Sequence, residues 1–307
     1  MYDLIIIGAG PAGLTAALYA GRADLKTLVL GIVTNSNAHK AHLIENYLGI
    51  ESISGPDYMM RCLEHAKKFG AEYLEREVLD IKHNGEQDFT IVDSERDAYK
   101  ARAVLIASGL GFKPSGIKNE QPLIGRGVSF CVTCDGAFFK GKNLAVIGSS
   151  NYAADEALQL LTYTPHITIL SHGKKFEISP KLEKVLKERE IACVETQKIS
   201  KFLGEEKLSA VEYADGEMQE FDGIFMALGH ATAADFATKL GIERTGPQKA
   251  YIVSNPLNGK TNVPGVYAAG DCTGGNAQAS KSSGEGCNAA IQIIKDLKGI
   301  AAFVDYS

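Results

Sequence analysis

The feature that most constrains this chain is a glycine-rich turn near its start, set between a predicted strand and a predicted helix. The apolar residues 4–7 predict a short buried strand, and the Ala-rich residues 14–23 predict a helix. Between them the sequence reads Gly8-Ala9-Gly10-Pro11-Ala12-Gly13. Residues 26–30 predict another strand, which completes a βαβ unit and indicates an α/β fold.

This turn has the residue types of a dinucleotide-binding loop. Glycines permit a tight turn, close approach of a pyrophosphate and close packing of the helix on the strand. The N–H groups at the start of the helix stabilise phosphate charge, and a proline in the first turn removes no helical hydrogen bond. An isolated glycine turn can serve packing alone, so the flanking strand and helix make nucleotide binding the better interpretation. The predicted cofactor-binding residues are Gly8, Gly10, Pro11, Ala12 and Gly13.

A similar βαβ unit follows later in the chain. Residues 144–147 predict a strand, Gly148-Ser149-Ser150 a turn, and residues 167–170 the strand that follows the next helix. The chain therefore contains two Rossmann-like units, and 307 residues are enough for two domains.

Two glycine- and proline-bearing stretches look like crossings between these domains, at residues 108–116 and 241–247. A final helix, predicted at residues 284–297, returns to the nucleotide-binding pattern. We predict an α/β protein in which the second Rossmann-like domain is inserted in the first. Residues 1–112 and 245–307 would form the outer domain, and residues 113–244 the inserted one.

Charge and composition exclude several classes of function. A formal net charge of −5 without a basic block argues against nucleic acid as a partner. The first residues lack the features of a signal peptide, and no apolar run approaches membrane-spanning length, so we predict a cytoplasmic protein that does not bind a membrane. In that compartment the closely spaced pair Cys131 and Cys134 is expected to be catalytic, redox-active or metal-binding.

The spacing of Cys131 and Cys134 suits redox chemistry. Two intervening residues let the thiols close a small disulfide ring at the start of a helix, where N–H groups favour a nucleophilic thiolate. Asp135 follows directly and is a candidate acid/base for the proton exchanged at sulfur. Half of a zinc site is the alternative, but structural zinc needs four ligands and no second Cys-x-x-Cys or paired His follows. We therefore predict no metal.

The segment around this pair resembles the redox motif of the low-molecular-weight thioredoxin reductases. It reads Cys131-Val132-Thr133-Cys134-Asp135-Gly136-Ala137-Phe138-Phe139. The resemblance extends in order over almost the whole chain, through Gly8 to Gly13, Glu45-Asn46, Ala107-Ser108-Gly109, Gly229-His230, Gly270-Asp271 and Gln278-Ala279. It implies a thioredoxin-reductase-like fold, bound FAD, a homodimer and a thioredoxin-like protein substrate.

The resemblance also implies roles for single residues. Cys134 would be the thiol on the flavin side, and Cys131 the thiol that attacks the substrate disulfide. Asp271 would lie near the ribityl and pyrophosphate groups of FAD, and Gln278 and Ala279 near the isoalloxazine. The further cofactor-binding residues implied are Asn46, Ala107, Gly109 and Gly270.

The second glycine turn departs from the family pattern for NADPH. Ser150 replaces the glycine at which the backbone approaches the pyrophosphate, and Tyr152 adds bulk. The family's His-Arg-Arg-x-x-x-Arg run is Ser171-His172-Gly173-Lys174-Lys175-Phe176-Glu177 here, without arginine. Lysine lacks the bidentate geometry of arginine, so a solvated loop is the better interpretation of its two lysines. These changes resemble the pyridine-nucleotide-independent branch of the family, in which ferredoxin or another donor supplies the electrons.

We therefore predict an FAD-dependent disulfide oxidoreductase that reduces a thioredoxin-type protein disulfide with electrons from a donor other than NADPH. Three alternatives stay open: a conventional NADPH-dependent thioredoxin reductase, a dithiol oxidase, and a flavin-bearing redox sensor. Beyond the final helix the tail carries Phe303 and Tyr306. We predict that Tyr306 covers one face of the flavin, with simple packing of both rings on the terminal helix as the alternative.

Overall fold

The computed structural model describes residues 1–110, 115–130, 132–229 and 231–305. The chain divides into two compact units, one made of Met1–Gly111 with Thr232–Ser307 and the other of Phe112–Ala231. Residues 232–244, which the sequence placed in the inserted domain, belong to the outer unit. Their attachment is visible at Lys239, whose Nζ lies 3.2 Å from Asp80 Oδ1 in that unit.

Residues 1–110 form the first part of the outer unit. Their strands and helices are β1 (Tyr2–Ile7), α1 (Pro11–Arg22), β2 (Thr27–Leu30), α2 (Gly55–Lys68), β3 (Glu72–Leu74), β4 (Val78–Gly85), β5 (Asp88–Asp93) and β6 (Ala98–Ile106). The local sequence explains α1: Pro11 opens its first turn, alanines line its buried face and Arg22 lies in its last turn.

The inserted unit contains short helices and many short strands. They are α3 (Glu120–Leu123), β7 (Val128–Ser129), α4 (Val132–Asp135), β8 (Leu144–Ile147), α5 (Asn151–Leu160), β9 (Ile167–Leu170), α6 (Pro180–Glu188), β10 (Ala192–Val194), β11 (Ile199–Leu203), β12 (Ala210–Tyr213), β13 (Met218–Glu220) and β14 (Gly223–Met226).

The chain then returns to the outer unit. The elements there are α7 (Ala233–Leu240), β15 (Arg244–Thr245), β16 (Tyr251–Ile252), β17 (Val266–Ala268) and α8 (Ala279–Lys298). The helix predicted at residues 284–297 therefore begins earlier, at Ala279. The first turns of α8 hold serines and Gly284, which are weak helix formers, so the sequence signal there was poor. In the structure, side chains of these turns bind a neighbouring loop.

Both units contain a parallel sheet of five strands. In the outer unit β3, β2, β1, β6 and β17 lie side by side as parallel strands, and β4 and β5 continue from the first half of β6 as antiparallel strands. In the inserted unit the parallel order is β10-β9-β8-β14-β7, beside an antiparallel sheet of β11, β12 and β13. The predicted fold of two Rossmann-like domains is confirmed.

Each parallel sheet is a core layer. Residues 4–7 of β1 and all of β8 are apolar and buried, as expected for parallel strands covered on both faces. Within the described ranges, we find no helix with the length and apolar character needed to cross a bilayer.

Candidate active site

The outer unit gathers the predicted cofactor-binding residues at one edge of its parallel sheet. Ile7 at the end of β1 pairs with Ile106 at the end of β6, and Ile106 pairs with Ala268 at the end of β17. Residues that follow these strands therefore meet at the same edge, where ligands bind in open α/β sheets. They are Gly8 to Gly13 after β1, Ala107 and Gly109 after β6, and Gly270 and Asp271 after β17.

The glycine turn after β1 leaves room for a ligand at one position. A Cβ placed on Gly13 would lie 2.0 Å from Gly8 O, so this glycine is needed for close packing of α1. A Cβ on Gly10 would meet no atom within 4 Å. Gly10 is also the N-cap of α1, and no side chain caps the helix there. This open helix start fits the phosphates of a dinucleotide.

A second feature of the same edge also fits a bound cofactor. Ser108 Oγ is buried and, within the described part of the chain, has no hydrogen-bond partner. A buried hydroxyl without a partner costs about 1–3 kcal/mol. A polar ligand at this edge can supply the missing hydrogen bond.

The loop that carries Asp271 is tied to the first turns of α8. Lys281 Nζ donates to Gly270 O at 3.0 Å and to Gly274 O at 2.6 Å, and it lies 3.0 Å from Glu285 Oε2. The Glu285 carboxylate in turn accepts the Gly270 N–H at 2.8 Å. Asp271 Oδ1 accepts a hydrogen bond from Ser282 Oγ at 3.2 Å. These contacts fix the backbone and the carboxylate of the loop.

Two predicted residues far apart in sequence are in contact. Asn46 Nδ2 donates to Gln278 Oε1 at 3.1 Å, and Gln278 is the N-cap of α8. Ala279 follows as the first helical residue. The start of α8 therefore lies beside the loop that carries Asn46.

Cys272, which adjoins Asp271, is not a redox candidate. The residue is fully buried, and burial raises the pKa of its thiol to about 12. Its Sγ lies 3.3 Å from Ala269 O and 3.4 Å from Ile106 O. The thiol is therefore protonated near neutral pH and packs as a small hydrophobic group.

The dithiol segment is described only in part. Cys131, His230 and the side chain of Cys134 lie outside the described residues. The backbone of Cys134 belongs to the single-turn helix α4, which ends at Asp135. Ser129 Oγ donates a hydrogen bond to Asp135 Oδ2 at 2.6 Å. The next residue, Gly136, packs so closely on Tyr163 that a Cβ there would lie 2.4 Å from the ring.

The turn after β8 has the same construction as the turn after β1, with a different residue at the ligand position. A Cβ on Gly148 would lie 2.2 Å from Ala227 O, just as one on Gly8 would lie 2.3 Å from Ala107 O. Ser150 therefore takes the place of Gly10, as the N-cap of α5 in the same extended conformation. Its Oγ donates to Gly229 O. Its Cβ occupies the position that is empty at Gly10.

An acidic residue also stands beside this second turn. Glu177 pairs with Ser150 in an isolated parallel bridge, and its N–H donates to Ser149 O at 2.7 Å. Its side chain is exposed. A carboxylate next to the turn repels the phosphates of a dinucleotide.

The two lysines of the loop after β9 supply little of the phosphate-binding charge that the family's arginines provide. Lys174 and Lys175 are exposed and line a polar cavity of about 600 Å³. The acidic residues Glu195, Asp215 and Glu217 line the same cavity. The charge of this loop is therefore mixed, unlike the cluster of arginines that binds a 2′-phosphate.

The tail that follows α8 is held at the C-terminal end of α1, which is the end opposite the glycine turn. Arg22 in the last turn of α1 donates to both carboxylate oxygens of Asp305, each at 2.6 Å. Phe303 packs against the core of the outer unit. Tyr306 lies outside the described residues, so its expected contact with a flavin stays a prediction.

Sequence reasoning gave no site role to several residues that the structure brings to these sites, among them Ser129, Glu177, Lys281 and Glu285. Ser129 lies two residues before Cys131, and Glu177 occupies the position of the family's last arginine, so both could have been noticed. The partners Lys281 and Glu285 carry no motif of their own, but their spacing of four residues on a helix is a weak signal for paired charges.

Comparisons with known proteins agree with this geometry. A family model described as pyridine nucleotide-disulphide oxidoreductase matches residues 2–286. A thioredoxin reductase of Bacillus subtilis (strain 168) is 40% identical over 283 residues, which is 88% of this chain and 86% of that protein. An atypical thioredoxin reductase from Desulfovibrio vulgaris Hildenborough has a TM-score of 0.92 and 39% identity, with 99% of this chain and 100% of that chain covered. A ferredoxin-flavin thioredoxin reductase from Clostridium acetobutylicum has a TM-score of 0.71 and 30% identity, with 97% and 98% covered.

Proposed function

Because this chain belongs to the pyridine nucleotide-disulphide oxidoreductase family, and within it to the thioredoxin reductases, we propose that it is an FAD-dependent reductase of thioredoxin-type protein disulfides whose electron donor is not NADPH. The resemblance inferred from the sequence is confirmed by this membership. The family's members are flavoprotein disulfide oxidoreductases. The choice of FAD, of the substrate and of the donor is our proposal.

One observation more than any other supports the proposal that the electron donor is not NADPH. Two turns of the same construction occur in one chain, and they differ where a dinucleotide must approach. Space is open over Gly10, whereas Ser150 places a side chain at the equivalent position and Glu177 adds a negative charge. The outer unit is thus suited to FAD, and the inserted unit is unsuited to NADPH.

The proposed FAD site uses residues already described. The start of α1 and Gly10 would hold the pyrophosphate, the Ser108 hydroxyl would gain its missing partner, and Asp271 would bind near the ribityl chain. Gln278 and Ala279 at the start of α8 would lie near the isoalloxazine. When bound, FAD supplies the two electrons that reduce the Cys131–Cys134 disulfide.

The chemistry of the dithiol follows from thiol–disulfide exchange. The Cys131 thiolate attacks the substrate disulfide, which forms a mixed disulfide and releases one substrate thiolate. Cys134 then attacks Cys131, which releases the second substrate thiolate and leaves a Cys131–Cys134 disulfide. The two released thiolates take up two protons, and we assign to Asp135 the transfer of a proton at this site.

The proposal is tested with the purified protein under anaerobic conditions. We expect a yellow protein that releases FAD on denaturation, identified by its mass. After reduction with dithionite, adding oxidised thioredoxin should restore the absorbance of oxidised flavin while thiols appear on thioredoxin. A folded but colourless protein would contradict the cofactor, and a reduced flavin that no thioredoxin disulfide reoxidises would contradict the substrate.

The hydrogen bonds between Lys281 and the Asp271 loop give a further prediction. Lys281→Met keeps the aliphatic stem but removes the donor to two loop carbonyls. Hydrogen bonds to charged groups contribute about 1.5–3 kcal/mol, so we expect FAD affinity to fall about tenfold or more. Lys298→Met, in the exposed last turn of the same helix, is the matched control and should bind FAD as the wild type does. Equal affinities in the two variants would show that these hydrogen bonds do not support the cofactor.

The tail prediction is tested by two variants. Deleting residues 302–307 is expected to change flavin absorbance and fluorescence if the tail covers the cofactor. Tyr306→Ala in the full chain keeps the pair between Arg22 and Asp305, so it tests the ring alone. Unchanged spectra in both variants would show that the tail only packs on the outer unit and forms an ion pair with α1.

A further inference from the structure

The candidate acid/base Asp135 is held by a residue outside the redox motif. Ser129 is the last residue of β7 and is 2% exposed. Its Oγ donates to Asp135 Oδ2 at 2.6 Å, a distance typical of a strong hydrogen bond to a carboxylate. The segment between the two residues contains both Cys131 and Cys134. The hydrogen bond therefore closes the loop that carries the dithiol.

Ser129 is well placed to act as a fixed anchor. Its strand pairs with β14 in the parallel sheet, and Ser129 is in register with Phe225, which is 1% exposed. Asp135, by contrast, ends a helix of a single turn. On its other side, Gly136 is packed against the ring of Tyr163. The hydrogen bond therefore ties the Asp135 carboxylate to the sheet.

We propose that Ser129 is a positioning residue that orients the Asp135 carboxylate for proton exchange with the dithiol. The inference rests on the proposed function, in which Asp135 moves that proton. A hydrogen bond to Oδ2 restricts rotation of the carboxylate, and we assign the proton exchange to Oδ1. Proton transfer needs heavy atoms within hydrogen-bond reach, so a carboxylate free to rotate spends less time in a productive orientation.

The main test is a double-mutant cycle on thioredoxin reduction, with dithionite-reduced protein as the starting state. We expect Ser129→Ala to slow disulfide reduction about tenfold or more, with the KM for thioredoxin unchanged. Asp135→Asn should slow it at least as much. Ser129→Ala added to Asp135→Asn should cause no further loss, because Ser129 acts through the carboxylate. A structural role for Ser129 would instead slow both backgrounds alike.

A matched pair of variants controls for packing. Threonine and valine have nearly the same shape, but only threonine keeps the hydroxyl. We expect Ser129→Thr to retain most of the rate and Ser129→Val to lose it, with equal melting temperatures and flavin spectra. This comparison remains valid if Ser129→Ala fails to fold.

The outcomes separate the inference from the proposed function. Wild-type rates in Asp135→Asn would overturn the acid/base role of Asp135, on which the inference rests. A slow Asp135→Asn together with wild-type rates in Ser129→Ala, additive losses in the double variant, or equal rates in Ser129→Thr and Ser129→Val would overturn the positioning role alone.

Discussion

Cys134→Ser is expected to reduce turnover of a protein disulfide by roughly a thousandfold or more, while FAD stays bound. Cys131 can still attack the substrate in this variant, but no thiol remains to resolve the mixed disulfide. The variant should therefore accumulate a covalent adduct with thioredoxin. Mass spectrometry under non-reducing conditions would detect the adduct, and dithiothreitol should dissolve it. Cys131→Ser should lose turnover equally and form no adduct.

Cys193→Ser is the matched control for these variants. Cys193 lies on the exposed strand β10, outside the proposed site, so its loss should leave turnover unchanged. An adduct in Cys131→Ser but not in Cys134→Ser would reverse the two roles. Wild-type turnover in either variant would refute the assignment of this pair as the redox centre.

NADPH is expected not to reduce the flavin of the wild-type protein. The loop lacks the arginines that would contact the 2′-phosphate. Each such charge-assisted contact contributes about 1.5–3 kcal/mol of binding free energy, so the missing arginines alone weaken NADPH binding by more than about a hundredfold. Ser150 and Glu177 oppose binding further. An anaerobic titration with NADPH, NADH and reduced ferredoxin, followed at the flavin absorbance, is the measurement. Dithionite should bleach the same sample, which shows that the flavin is competent.

Two substitutions should move the inserted unit toward nucleotide binding. Ser150→Gly opens the space equivalent to that over Gly10, and Glu177→Arg replaces the repulsive charge with a phosphate-binding group. We expect the double variant to react with NADPH faster than either single variant. Glu188→Arg, exposed at the C-terminal end of α6, is the control for an added arginine. Rapid stoichiometric bleaching of the wild type by equimolar NADPH would contradict the proposed choice of donor.

Secondary structure was predictable wherever the sequence has a strong local pattern. The strands at residues 144–147 and 167–170 have the predicted bounds, because short apolar runs between turns indicate buried parallel strands. The start of α8 was not predictable, because its first turns contain serines and glycine. Lys281, Ser282 and Glu285 bind the Asp271 loop there, and such tertiary contacts override weak helix propensity.

The amino-acid sequence by itself determined the two nucleotide-type turns, the dithiol motif and the family. These features are local, since a glycine turn between a strand and a helix depends only on neighbouring residues. Only the tertiary structure decided which distant side chains stand beside them. Asn46 contacts Gln278, Glu177 pairs with Ser150, and Lys281 binds the Asp271 loop. Sheet register and helix packing bring these residues together. Such contacts join residues tens to hundreds of positions apart or depend on the packing of a loop, so no spacing rule along the chain reveals them.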